Sequence, residues 1–142
     1  MLLYVHVPFC STRCRYCAFH SIPLGRGVDA AASPAVRDYV DTLFLELAHW
    51  GDEFGGSEVQ TVFFGGGTPS LLSPRIIGLT MERISKYFKL APKAEVTLEA
   101  NPESLRGGHR AAQYLDAGIN RLSIGVQSMD EGMLRLLGRP HK

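Results

Sequence analysis

Residues 59–74 read Val59-Gln-Thr-Val-Phe-Phe64-Gly65-Gly66-Gly67-Thr68-Pro69-Ser-Leu-Leu-Ser73-Pro74. The β-branched and aromatic run at 59–64 predicts a strand, and the three glycines break it. Ser73 and Pro74 then supply the N-cap and first-turn signals of a helix. Ile76, Ile77, Leu79, Ile84 and Phe88 follow as its core candidates. Strand, glycine turn and helix thus follow one another within thirty residues, the unit from which parallel sheets are built.

The same unit recurs on either side. Leu2–Pro8 is a short apolar strand, followed by a cysteine-bearing loop and a Gly, Pro and Ala-rich connection over 21–33. Ser33 and Pro34 open an amphipathic helix with Val36, Tyr39, Val40, Leu43, Phe44 and Leu47 on its apolar stripe, ending near Gly51 or Gly55. Glu95–Leu98 is the third strand. A third helix is expected over Ser104–Asp116, with Ala111, Ala112, Tyr114 and Leu115 inward and Gly118 as its stop. Arg121–Val126 is the fourth strand, and Met129–Leu137 begins a fourth helix.

Four strand–helix units imply an α/β fold with parallel strands. An open doubly wound sheet and part of a βα barrel both fit. In either, ligands sit at the carboxyl ends of the strands. The cysteine loop follows strand one, the glycines strand two, Glu99 and Asn101 strand three, and Gln127 strand four, which points to one composite site. A full barrel needs about 250 residues, so the 142 residues are read as the amino-terminal part of a longer protein.

Composition narrows the class. The chain is 45% hydrophobic and 20% charged with net charge +1. That is a globular balance which argues for neither nucleic acid nor an anionic membrane surface as partner. No apolar run reaches the ~20 residues of a membrane span. Met1–Phe9 lacks the basic start of a signal peptide, so a cytoplasmic location is expected. All three cysteines lie between positions 10 and 17, a poor disulfide framework and a good metal motif.

Cys10, Cys14 and Cys17 are spaced C-x3-C-x2-C. Soft thiolates suit an iron–sulfur cluster or zinc. Three ligands on a four-iron cubane leave one iron open to chelate a substrate. A structural zinc would need a fourth ligand, for which His6 and His20 are candidates. Arg13 and Arg15 make the loop cationic, which favours thiolates and an anionic cluster.

The remaining candidates each carry two readings. Gly65–Gly67 lets the backbone approach a ligand or simply makes a tight turn. It has neither dinucleotide nor P-loop spacing. Glu99 accepts from ribose hydroxyls or an amino group, or complements the following helix dipole. Gln127 contacts a ligand or serves a turn. Arg139 pairs with a carboxylate or is a solvated helix-end charge. Tyr4 packs on strand one, Tyr16 sits inside the cysteine loop, and His141 is expected at the surface.

Tyr4-Val-His-Val-Pro-Phe-Cys10 with the cysteine motif resembles the radical S-adenosylmethionine (SAM) superfamily. So, in order, do Phe64–Pro69, Glu99-Ala-Asn-Pro-Glu103 and Arg121-Leu-Ser-Ile-Gly-Val-Gln127. The closer resemblance is to the branch holding oxygen-independent coproporphyrinogen III oxidase and the heme chaperones. It implies a partial (β/α)6 barrel, of which about the first four units lie in residues 1–142. It implies a [4Fe–4S] cluster on Cys10, Cys14 and Cys17, with SAM bound to the open iron and contacted by Tyr4, Tyr16, Gly66, Gly67, Thr68, Glu99, Gln127 and Arg139. A reduced cluster of this family cleaves SAM to methionine and a 5′-deoxyadenosyl radical, so an electron donor is an implied partner.

The decarboxylating oxidase carries a further cysteine two residues after the third. Here that position is Phe19. Cys17-Ala-Phe19-His-Ser and the ending Leu137-Gly-Arg139-Pro-His141 resemble the chaperones, which implies heme as a bound group and a heme-recipient protein as partner. The alternatives are an oxidase decarboxylating two propionates of coproporphyrinogen III, and a zinc-stabilised, non-enzymatic module.

Overall fold

The computed structural model describes residues 1–107, 109–139 and 141. Six strands form in chain order: β1 (Leu2–Val7), β2 (Phe9–Cys10), β3 (Ile22–Pro23), β4 (Glu58–Gly66), β5 (Lys89–Ala100) and β6 (Arg121–Ile124). Among the described residues four α-helices accompany them: α1 (Pro34–Phe54), α2 (Pro74–Tyr87), α3 (Arg110–Asp116) and α4 (Glu131–Leu137). The main sheet runs β1-β4-β5-β6 with every neighbouring pair parallel.

That order chooses between the two architectures. Each long strand lies beside the one before it, without the reversal that defines a doubly wound sheet. The sheet is an arc of a βα barrel. Its first three helices form one layer, α1 packing on α2 and α2 on α3. Under this layer lie Val5, Val7, Val62, Phe64, Val96 and Leu98, all at or below 5% exposure. From α1 come Val36, Leu43 and Leu47, and from α2 Ile77, Met81 and Ile84. Burying each large side chain contributes roughly 1.5–3 kcal/mol. The opposite face carries the register row Tyr4, Phe63, Thr97 and Arg121.

Local chemistry explains most boundaries. The Ser73 side chain caps α2 by accepting from Ile76 N (3.3 Å). Ser33 caps α1 through its backbone carbonyl alone, accepting from Arg37 N at 3.2 Å. Strand β5 starts six residues before the expected Glu95. Its register against β4 slips between Val59 and Thr61, and Pro92, which has no N–H to donate, sits at this irregularity.

Helix α3 departs most from expectation. A 3-10 turn covers Pro102–Leu105, and the α-helix begins only at Arg110. Gly107 between them has φ 107°, a conformation that ends helical propagation. Ala111, Ala112 and Leu115 are exposed, not inward; only Tyr114 is buried. Its hydroxyl lies 2.8 Å from both the Ser70 and Leu72 carbonyl oxygens, so hydrogen bonding as well as packing sets the helix's rotation. Leu79 on α2 is likewise 39% exposed.

Candidate functional site

The cysteine loop leaves the sheet at Phe9. The short parallel pair β2–β3 closes its base, with Ile22 N donating to Pro8 O (2.7 Å) and Leu24 N to Cys10 O (2.8 Å). On its far side Arg15 N donates to Leu137 O at the end of α4 (3.2 Å). Cys10, Cys14 and Cys17 are free thiols, each partly exposed. They open on a cleft of about 390 Å3 at the carboxyl ends of the strands.

Ten of the eleven site residues named from sequence line this cleft: the three cysteines, Tyr16, Gly66, Gly67, Thr68, Glu99, Gln127 and Arg139. Tyr4 does not. It is 53% exposed on the open face of β1, stacked on Phe63 and hydrogen-bonded to His6 Nδ1 (3.2 Å), so it is not a core residue either. Burial raises its phenol pKa above the ordinary value, and the Glu99 carboxylate adds to this.

The glycine turn is forced by close approach. A Cβ on Gly66 would meet the His6 ring at 2.6 Å, and one on Gly67 would meet Phe9 O at 2.5 Å. Gly66 also needs φ 113°. Its N–H donates to Glu99 Oε2 at 3.1 Å, pinning that carboxylate at the cleft. Thr68 is buried, with Oγ1 3.6 Å from Cys10 Sγ and accepting from Asn101 Nδ2 at 3.0 Å.

Arg139 is 8% exposed, not a solvated helix-end charge. The path to it is made by Gly138, whose φ of 75° ends α4. Arg139 N then donates to Leu134 O at 2.8 Å, the 6→1 bond of a Schellman motif. The guanidinium reaches Cys14 Sγ (3.3 Å), Asn101 Oδ1 (2.5 Å) and Gly125 O (2.7 Å). Tyr16 stands beside it. Burial raises its phenol pKa, with the Arg139 charge opposing and Cys14 and Cys17 reinforcing.

Gln127 is the one non-glycine residue with positive φ among the described residues, at 67°. Ser128 N donates to Val126 O at 2.9 Å across it, so Gln127 centres a γ-turn of the rare, strained hand. Such strain costs on the order of 1–3 kcal/mol and persists where the surroundings impose it.

His141 is 6% exposed, not at the surface. Its Nε2 lies 3.0 Å from Val126 O and its Nδ1 3.4 Å from Glu103 Oε2. Sequence reading missed both His141 and Glu103. The available signal was Gly138, a helix-ending residue that turns the chain back toward the cleft.

The donor set fits a cluster. The three thiols of one loop line a single cleft, and a cubane would take each thiolate on a different iron. Two of the three sulfurs have hydrogen-bond donors beside them, Thr68 and Arg139, which tunes cluster ligands. His6 Nδ1 is hydrogen-bonded to the Tyr4 hydroxyl, and neither His6 nor His20 is among the residues lining the cleft. Thr12 Oγ1, Ser21 Oγ and Arg139 Nε are buried without hydrogen-bond partners among the described residues, and all three residues line the cleft. Such orphans fit a wall built to meet a polar ligand.

Residues 4–142 match the radical SAM superfamily, and the chain belongs to it. It is 46% identical over 139 residues to "Radical S-adenosyl methionine domain-containing protein 1, mitochondrial" of Bos taurus, covering 98% of this chain and 30% of that protein. It is 42% identical to heme chaperone HemW of Escherichia coli, over 98% of this chain and 35% of HemW. A solved structure of the Escherichia coli coproporphyrinogen III oxidase HemN, described as a radical SAM enzyme, superposes with TM-score 0.86 at 31% identity. The match covers 99% of this chain and 31% of HemN. The chain therefore spans about a third of the length of these relatives, and its fold is the corresponding part of the radical SAM barrel. Membership in the family implies SAM and an iron–sulfur cluster. No described helix is long and apolar enough to cross a membrane.

Proposed function

We propose that this chain forms the cluster and SAM site of a HemW-like heme chaperone, which binds heme and delivers it to a recipient protein. Cys10, Cys14 and Cys17 would hold a [4Fe–4S] cluster with one iron lacking a protein ligand. When bound and reduced, the cluster supplies the electron that SAM's sulfonium accepts. An external electron donor is then required. The other residues bind and orient. Glu99, held by Gly66 N–H, accepts from an ammonium or ribose hydroxyl, and Arg139 pairs with a carboxylate. Gly66 and Gly67 let the backbone approach, while Thr68, Tyr16 and Gln127 complete the polar wall. Tyr4 enters this set by resemblance alone.

The observation that carries the proposal is the convergence on one cleft of three thiols from one loop with Glu99, Gln127 and Arg139 from three later strand and helix ends. Two observations support a chaperone: Phe19 where the oxidase has a cysteine, and 42% identity to HemW against 31% to HemN. The HemN superposition favours the second reading, oxidative decarboxylation of coproporphyrinogen III. The chemistry requires a reducing compartment. The cytoplasm supplies one, and the relatives named mitochondrial fit the same requirement.

Anaerobic iron–sulfide reconstitution of the intact protein should give cubane absorption and an electron paramagnetic resonance signal that SAM perturbs. Heme titration should saturate without carbon dioxide release from coproporphyrinogen III. Catalytic carbon dioxide release would establish the oxidase instead, and a colourless, zinc-replete protein would sink both.

A further inference from the structure

The geometry assigns His141 a positioning role: it clasps the strained turn that presents Gln127 to the cleft. The inference rests on the SAM reading of that cleft for its consequence, though not for its geometry. Gln127 holds φ 67° in a turn closed on the Val126 carbonyl. A turn of that hand does not hold itself. The same carbonyl lies 3.0 Å from His141 Nε2, while the other ring nitrogen faces Glu103 Oε2 at 3.4 Å without a hydrogen bond.

A ring nitrogen facing a carbonyl must donate, so Nε2 carries a proton. The His141 side chain is 4% exposed and that of Glu103 18%, so water has little room to replace either contact. Glu103 lies in the 3-10 turn after β5, and Val126 follows β6. The His141 ring therefore stands between neighbouring strand ends and bonds the second of them. Arg139, two residues before His141, grips the other end of the same segment through Gly125 O at 2.7 Å. A Cβ on Gly125 would stand 3.0 Å from Gln127 Nε2, so the turn and the amide it carries are closely packed. One short stretch after α4 thus fixes both the turn and, through Arg139, the guanidinium beside Cys14.

The test uses the intact protein with His141→Ala and His141→Gln. The glutamine keeps an N–H that reaches Val126 O. Amide exchange, followed before SAM is added, should accelerate over residues 125–128 in His141→Ala while α1 and α2 keep their protection. SAM affinity, read from its perturbation of the cluster signal, should fall about tenfold, the size of effect seen when supporting contacts to a bound site are lost. Iron and sulfide per chain should not change. His141→Gln should recover most of both losses, and it carries the same test if the alanine variant unfolds. Unchanged exchange over 125–128 overturns the clasp whether or not the protein binds SAM. Faster exchange with undiminished SAM affinity overturns its role at the site. A wild-type cluster indifferent to SAM sinks the reading of the cleft, while the exchange comparison still decides the clasp.

Discussion

The helix-covered face of the sheet and the rim at its carboxyl ends are built from the same four strands under opposite rules. Beneath α1 and α2, Val62, Phe64, Leu98, Ile77 and Ile84 have no exposed surface, and the one buried polar side chain of α2, Thr80, is satisfied by the Ile76 carbonyl. At the rim, a few residues further along β4 and β5, glycines replace side chains and buried polar atoms go unpartnered. Of the five such atoms among the described residues, three lie in the cleft wall, and the other two, Glu103 Oε2 and His141 Nδ1, face each other at 3.4 Å beside it without a hydrogen bond. The one strained non-glycine residue is there too. The contrast shows that stability is concentrated in one layer so that the other can carry groups held for a ligand.

Substitutions should separate the two layers. The largest effect is expected at the cysteines. Cys10→Ala, Cys14→Ala or Cys17→Ala should each abolish cluster absorption and SAM binding outright while leaving the far-ultraviolet circular dichroism of the sheet intact. Loss of the sheet with the thiol would merge the two regions. Phe64→Ala should do the reverse. It should destabilise by about 3–5 kcal/mol in chemical denaturation, yet leave iron stoichiometry unchanged in the folded fraction.

A smaller effect lies at the seam between the layers. The Tyr39 hydroxyl on α1 donates to His6 O at 2.8 Å, and burial drives its phenol pKa far above the ordinary value, with Glu46 and Tyr4 adding to the shift. In the unfolded chain it ionises near pH 10. The folded form therefore holds its proton where the unfolded form has lost it. The stabilisation is full below about pH 10 and is lost progressively as pH rises above it. Tyr39→Phe should flatten this alkaline decline in a denaturation series, and should cost about 1 kcal/mol at neutral pH from the lost hydrogen bond. An alkaline decline of equal slope in the variant would assign it to other groups.

The smallest effect should run the other way. Gln127→Gly removes the penalty of positive φ and should leave stability unchanged or raise it by up to about 1 kcal/mol, while weakening SAM binding. A variant that is both more stable and equally tight would remove Gln127 from the site.

Much of this was legible from residue order. Strand–helix alternation, the thiol spacing and the glycine run each depend on neighbours in the chain, so local chemistry determined them: period, cap, breaker and ligand type. The rule that parallel strands present their carboxyl ends together placed the cysteine loop, the glycine turn, Glu99 and Gln127 on one rim, whereas Tyr16, Thr68 and Arg139 entered the set through the family resemblance. Strand–helix alternation alone did not distinguish a doubly wound sheet from a barrel, because strand adjacency is a long-range pairing; the family resemblance implied the barrel that the strand order then showed. Nor did residue order show that Leu115 and Ala111 face outward, because Tyr114's bonds to Ser70 and Leu72 set the rotation of α3. His141 looked like a surface residue for the same reason. Its partners, Glu103 and Val126, are 38 and 15 positions away, and only folding brings an imidazole ring to a carbonyl and a carboxylate at that separation.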